Sequence, residues 1–236
     1  MSAAPPAGAP RPVFPPPGPV LLPLLGEPLA LPVRRVFCVG RNFAEHAREM
    51  GMTVERARPV FFMKPPEALV PGGGEIPYPP ATAELHHEVE LVAALAGGGR
   101  ELAPEEALDR VLGYAVGLDL TRRDLQAELK AKGLPWELAK GFEHSAPISA
   151  LRRWRGPPPA GRIRLEVDGE LRQEASLAEM IFGVGEVLMW LSRFFTLAPG
   201  DLVFLGTPAG VGPLRPGQRF RAEVEGVATL EGRIAG

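Results

Sequence analysis

The sequence predicts one α+β domain dominated by strands, on three observations. Short apolar runs such as residues 36–40 and 60–63 are bounded by Gly, Pro or charged residues and do not continue at helical spacing. Strand-like and helix-like segments alternate irregularly, with no repeat period and without the regular βαβ order of a doubly wound sheet. With 236 residues, 45% of them hydrophobic, the chain can bury a substantial core.

Taken in order, residues 1–33 hold eleven of the 28 prolines, which predicts an extended leader with at most a few short edge strands and a disordered first dozen residues. Residues 36–40 read as a buried strand and 41–50 as a short helix ended by Gly51. A strand over 60–63 leads to Lys64-Pro65-Pro66, Pro71-Gly72-Gly73-Gly74 is a turn, and 84–95 is a strand before the turn Gly97-Gly98-Gly99. A helix opens at Pro104 and runs to 110, and a strand covers 113–120. Thr121-x-x-Asp124 then has capping-box spacing before a helix through Lys132 that stops at Gly133. Asp168-Gly169, between 163–167 and 170–173, predicts a hairpin. Ser176-x-x-Glu179 starts a helix to about Phe195 whose apolar face carries Met180, Ile181, Val184, Val187, Leu188 and Leu191. From Asp201 onward the pattern is β, with Gly206 and residues 210–213 in a tight loop.

Composition narrows the function. A net charge of −2 and a pI near 6.1 give no basic face for nucleic acid or an anionic membrane, while small anionic substrates remain open. No apolar stretch reaches the roughly 18–20 residues of a membrane span. The lone Cys38, inside the apolar run Val36-Phe37-Cys38-Val39, reads as a buried small residue in a protein of the reducing cytoplasm. Chemically useful types are scarce and clustered: all four histidines, the only asparagine (Asn42) and all four lysines (Lys64, Lys130, Lys132, Lys140) fall between positions 41 and 145.

The same region holds three acids inside apolar strand-like runs. Alternate strand residues share a face, so His86, Glu88 and Glu90 point one way and His87 and Val89 the other, which argues against a two-histidine zinc site. Asp119 ends a second strand at a strand-to-helix junction. Burying an unpaired carboxylate costs several kcal/mol or forces its protonation, so three converging acids suggest a hard divalent cation, Mg²⁺ before Zn²⁺. A solvated acidic strand face is the other reading of that local pattern. His46 and Glu49 lie three apart on the 41–50 helix, the spacing in which a carboxylate orients an imidazole to activate water; an incidental surface pair has the same spacing. Lys140 could set an ammonium opposite an oxyanion, and Thr207 between Gly206 and Pro208 offers a hydroxyl for a carboxylate. There is no G-x-S-x-G elbow, P-loop, dinucleotide fingerprint or cysteine pair.

In combination these motifs resemble the fumarylacetoacetate hydrolase family. The resemblance rests on Val39-Gly40-Arg41-Asn42-Phe43-Ala44-Glu45-His46, Phe62-Met63-Lys64-Pro65, His86-His87-Glu88-Val89-Glu90-Leu91 and Asp119-Leu120-Thr121-Arg122-Arg123-Asp124-Leu125-Gln126. It extends through Lys132-Gly133-Leu134-Pro135-Trp136 with Ala139-Lys140, and Gly206-Thr207-Pro208 with Gly210-Val211-Gly212. It covers about residues 34 to 230 and is strongest to the acylpyruvase and oxaloacetate decarboxylase branch. It divides the chain into a Pro-rich leader (1–33) and a catalytic domain (34–236). It implies a mixed β-roll or sandwich with flanking helices, a homodimer, Mg²⁺ or Mn²⁺ held by Glu88, Glu90 and Asp119, and a short lid helix carrying His46 and Glu49. Catalysis falls to His46, Glu49 and Lys140. Arg123, Gln126 and Thr207 line the substrate pocket, with Arg41 and Asn42 at the lid hinge. Phe43 stands where Tyr is usual, and the Pro-rich leader has no counterpart role.

The implied reaction is hydrolysis of an acylpyruvate, a 2,4-dioxo acid, in which His46 and Glu49 activate water, Lys140 steadies the oxyanion and pyruvate enolate leaves. The same site would serve oxaloacetate decarboxylation or keto–enol tautomerisation, or isomerisation of a hydroxymuconate-type diacid from aromatic catabolism. A non-catalytic metal-binding scaffold would need neither the His46–Glu49 pair nor Lys140.

Overall fold

The computed structural model describes residues 12–45 and 58–236. Its strands begin with β1 (Leu21–Pro23), β2 (Ala30–Pro32), β3 (Arg35–Val39), β4 (Phe61–Lys64), β5 (Leu69–Pro71), β6 (Gly74–Ile76), β7 (Leu85–His87), β8 (Val89–Leu95) and β9 (Val111–Leu118). They continue with β10 (Thr121–Arg122), β11 (Ala146–Ile148), β12 (Arg152–Arg153), β13 (Arg162–Val167), β14 (Glu170–Ser176), β15 (Asp201–Phe204), β16 (Gly212–Pro213), β17 (Arg219–Val224) and β18 (Ala228–Ile234). The α-helices named below are α1 (Pro104–Leu108), α2 (Arg123–Ala131), α3 (Glu137–Lys140) and α4 (Val184–Phe194).

An eight-stranded mixed sheet, in the order β4-β3-β15-β8-β9-β11-β5 with β12 also on β9, forms the centre. A five-stranded sheet, β14-β13-β17-β18-β6, lies on one face of it. Phe37, Val39, Leu91, Ala93 and Val116 of the large sheet, Leu165, Phe220, Ala222 and Leu230 of the smaller one, and Val187, Leu188 and Leu191 of α4 make one buried cluster between them. The pleat turns the alternate residues Val36, Cys38, Val92, Ala94, Leu202 and Phe204 to the opposite face, where Leu22, Leu24 and Leu31 cover them. Burial on both faces explains why β8 is a continuous apolar run apart from Glu90. It also gives the Pro-rich segment a packing role from about Val20 onward: the β1–β2 hairpin closes the second core, each Leu contributing roughly 1.5–3 kcal/mol by burial.

The predicted hairpin is present, with positive φ at both Asp168 (53°) and Gly169 (82°), the backbone of a type I′ turn. Cys38 is wholly buried, and burial pushes its thiol pKa well above the ordinary range, as a structural cysteine requires.

Four expectations are corrected. Thr121 and Asp124 make no capping box: α2 starts at Arg123 without a side-chain cap, because the Thr121 hydroxyl donates to the Asp119 carbonyl and Asp124 accepts from Thr82 and the Ala83 amide. The helix expected from Ser176 is two elements. The Ser176–Glu179 box caps a single 3₁₀ turn (Leu177–Glu179), and α4 begins afresh at Val184 after an extended stretch that holds Asn42. The strand expected over 84–95 breaks at Glu88. The 41–50 helix does not include 41–43, since Phe43 bridges Met180; only Ala44 and Glu45 are helical among the described residues, and the remainder lies outside them.

Candidate metal centre and active site

The break at Glu88 builds the site. β7 belongs to a small sheet with β10 and β16, whereas β8 sits at the middle of the eight-stranded sheet, so the chain changes sheets at Glu88. The β8–β9 register pairs Val89 with Leu118, which brings the next residues, Glu88 and Asp119, face to face; the Asp119 amide donates to the Glu88 carbonyl at 2.8 Å. Glu90 follows two residues along β8. All three acids are buried, and one carboxylate oxygen from each lies within 4.8 Å of the others.

Cations surround them. Lys140, on the last turn of α3, is buried and donates to Glu88 (2.9 Å), Asp119 (2.6 Å) and the Thr121 hydroxyl (2.6 Å). Burial works against its charge, but Asp119 and Glu88 outweigh that and raise its pKa. Lys64, at the end of β4, is equally buried; its ammonium stands 2.9 Å from Asp119 and donates to the Leu120 carbonyl (3.2 Å), the Ser145 hydroxyl (2.9 Å) and the Lys140 carbonyl. Arg123, opening α2, pairs with Glu88, donates to Gln126 at 2.6 Å and reaches His86 at 3.4 Å. Burial and the Arg123 charge hold His86 near a pKa of about 4.

A frame fixes the other side. The Gly206 amide donates to Glu90 at 2.7 Å. Burial, with Asp119 and Glu88 nearby, still pushes the Glu90 carboxyl well above its usual range. Gln173 of β14 accepts from the Val89 amide (3.1 Å) and from His87 Nδ1 (2.9 Å), and donates to the Thr207 hydroxyl (2.8 Å) and the Pro208 carbonyl (2.9 Å). His86 and His87 thus diverge as the strand period predicts. Asn42 is wholly buried, donating to the Phe182 and Leu205 carbonyls and accepting from the Phe182 amide.

Glu88, Glu90, Asp119, Lys140, Arg123 and Gln126 therefore form one network, with Thr207 joined to its rim through Gln173. Asn42 spends its carboxamide on backbone, and Arg41 is half-buried beside it. His46 and Glu49 lie outside the described residues. Sequence reasoning assigned no role to Lys64 or Gln173 and only a helix cap to Thr121. A lysine ending a strand, in a chain with four, was the available signal for the first; Gln173 is a buried position in an otherwise largely exposed strand.

Three buried carboxylates facing three cations leave the site formally neutral, so a bound divalent cation makes it +2 and suited to an anionic chelating acid. The donors fit such an ion: they are hard oxygens, converge within 4.8 Å, and include Asp119 Oδ1, which is buried and accepts no hydrogen bond despite the nearby Lys64 charge. No helix among the described residues is long and apolar enough to cross a membrane.

Known proteins share this arrangement of chain. The family model for the fumarylacetoacetate (FAA) hydrolase C-terminal region matches residues 35–235. The mouse (Mus musculus) oxaloacetate tautomerase FAHD1, mitochondrial, is 43% identical over 203 residues, 85% of this chain and 91% of the mouse protein. The crystal structure of fumarylpyruvate hydrolase from Pseudomonas aeruginosa in complex with Mn²⁺ and pyruvate is 47% identical, covers 95% of this chain and 99% of its own, and superposes with a TM-score of 0.93. A 5-carboxymethyl-2-hydroxymuconate delta-isomerase from Mycobacterium smegmatis is 32% identical with a TM-score of 0.78, covering 87% and 80% of the two chains. The chain belongs to the fumarylacetoacetate hydrolase family.

Proposed function

We propose that this protein is a Mg²⁺- or Mn²⁺-dependent hydrolase of acylpyruvates, R–CO–CH₂–CO–COO⁻, which water converts to R–COO⁻, pyruvate and a proton. The observation that carries the reading is the buried Glu88–Glu90–Asp119 cluster with the Lys140 ammonium 2.9 and 2.6 Å from two of its members. The relative crystallised with Mn²⁺ and pyruvate supports it. Held by the three carboxylates, the metal would supply Lewis-acid stabilisation of the negative charge that develops on the 2-oxo acid. Arg123 and Gln126 hold the pyruvate carboxylate end, and the Gln173-anchored Thr207 hydroxyl orients it from the opposite side. His46, assisted by Glu49, takes the proton from the attacking water, and the charge of the Lys140 ammonium stabilises the oxyanion formed at the distal carbonyl. Breaking the C3–C4 bond releases R–COO⁻, and His46 returns its proton to C3 of the pyruvate product.

The mouse relative favours a second reading, oxaloacetate tautomerisation, in which no water attacks, and decarboxylation of oxaloacetate would use the same site. A panel of acetylpyruvate, fumarylpyruvate, oxaloacetate and a 2-hydroxymuconate, assayed with Mg²⁺, separates these. The first reading requires the acylpyruvates to turn over fastest, and oxaloacetate or muconate turnover alone rejects it. The protein would act as a homodimer in a reducing compartment such as the cytoplasm, which light scattering and fractionation test.

A further inference from the structure

The metal site takes one face of the β7 segment and leaves the other to His87. Alternation along the strand turns His87 away from His86 and Glu88, and its ring is only 1% exposed. Its Nδ1 lies 2.9 Å from Gln173 Oε1. That oxygen also accepts from the Val89 amide, and the Gln173 nitrogen donates to the Pro208 carbonyl, so the carboxamide has a single orientation and His87 Nδ1 is the donor. The other ring nitrogen, Nε2, has no hydrogen-bond partner among the described residues.

His87 borders a cleft of about 530 Å³. Arg172, Gly212, Arg215 and Gln218 line it with His87, no acid does so, and none of Glu88, Glu90, Asp119 or Lys140 belongs to its wall. Gly212 stands opposite His87 across the β16–β7 pair, and a Cβ there would come 3.4 Å from Nε2, so the glycine leaves that nitrogen uncovered. The charge of the lining is cationic. Arg172 pairs with Glu170 at 2.7 Å, whereas Arg215 has no carboxylate partner among the described residues. Gln218 is already occupied, accepting from the Arg215 amide and donating to Asp168.

These groups define a ligand. Two guanidinium groups attract a carboxylate and repel an ammonium or a metal ion. A neutral imidazole with its hydrogen on Nδ1 presents a lone pair at Nε2, which a carboxylate cannot satisfy and a hydroxyl can. We propose that the cleft is a second, non-catalytic site that binds a small hydroxycarboxylate, its hydroxyl on His87 Nε2 and its carboxylate end on Arg215 and Arg172. Such a ligand holds the His87 ring at both nitrogens. Gln173 passes that restraint to the Thr207 hydroxyl, 2.8 Å from its nitrogen at the rim of the metal site, so occupancy lowers the KM of the substrate by pre-organising Thr207. The coupling rests on the acylpyruvate reading; the binding site does not.

The test titrates malate into the full-length Mg²⁺-loaded protein by calorimetry, with saturating pyruvate present to occupy the metal. Malate should bind once per chain, and Arg215→Met should weaken it by about 10- to 100-fold, the loss of a hydrogen bond to a charged group. Succinate, which lacks only the hydroxyl, should bind about 3- to 10-fold more weakly, and Arg221→Met, outside the cleft, should change nothing. No binding, unchanged affinity in Arg215→Met, or equal affinity for succinate overturns the site. In turnover, malate should lower the KM for acetylpyruvate in the wild type and not in an Arg172→Met/Arg215→Met double variant. A rise in KM shared by both is competition at the metal and overturns the coupling. Arginine-dependent malate binding in a protein that fails to hydrolyse acetylpyruvate removes the proposed reaction and leaves the site standing.

Discussion

Replacing Asn42 by Ala removes three buried hydrogen bonds at once: those to the Phe182 carbonyl (3.0 Å), the Leu205 carbonyl (2.8 Å) and from the Phe182 amide (2.8 Å). A buried backbone group left without a partner costs about 1–3 kcal/mol, and with partial relaxation the three together should cost roughly 3–5 kcal/mol. For a chain of this length about 2–4 °C of Tm accompanies each kcal/mol, so the melting temperature should fall by roughly 6–20 °C. Asn42→Asp should be no milder, since it keeps the acceptor but turns an oxygen toward two carbonyls. Leu205 precedes Gly206, whose amide holds Glu90, so metal affinity should weaken in both variants. Differential scanning calorimetry and Mn²⁺ titration read the two effects. A Tm loss under about 2 °C with only the substrate KM raised would contradict the structural role of Asn42 and make it a direct substrate ligand.

Gly206 sits at φ +91°, and a Cβ there would fall 2.7 Å from that of Asn42; Gly206→Ala should therefore lower stability by about 1–3 kcal/mol and weaken Mn²⁺ binding, as followed by denaturant unfolding and metal titration. His46→Ala should slow acylpyruvate hydrolysis by about 10²- to 10⁴-fold with metal content intact, measured by turnover and metal analysis; unchanged turnover removes its role as base. The same variant should slow any oxaloacetate decarboxylation of the wild type less than it slows hydrolysis, since that reaction needs no attacking water and calls on His46 only to protonate C3.

What the sequence revealed follows from which interactions are local. The Asp168-Gly169 turn, the strand alternation that separates His86 from His87, and the acids lodged in apolar runs are all properties of neighbouring residues. The resemblance to the family then joined Lys140 to them. The break at Glu88 was not legible, because the switch between sheets depends on β7 pairing with β10 and β16, segments distant along the chain. Thr121 misled for a similar reason: its hydroxyl is taken by Asp119 and Lys140, and a tertiary partner overrode a local cap. Lys64 and Gln173 escaped because their significance lies in burial beside the site. The Pro-rich hairpin has the composition of a linker, yet its alternate residues Leu22, Leu24 and Leu31 are what the second face of the sheet requires.

The proposed chemistry requires Glu88, Glu90 and Asp119 to act together as a cation site. Calorimetric titration of metal-free protein with Mn²⁺ tests this most directly, using the wild type beside Glu88→Ala and Asp119→Ala variants shown to be folded by circular dichroism. One ion per chain in the wild type and none in either variant is the predicted result, because each substitution removes a ligand and leaves a buried lysine facing the ion. Full stoichiometry at wild-type affinity in both variants would contradict the assignment, and with it the proposed chemistry.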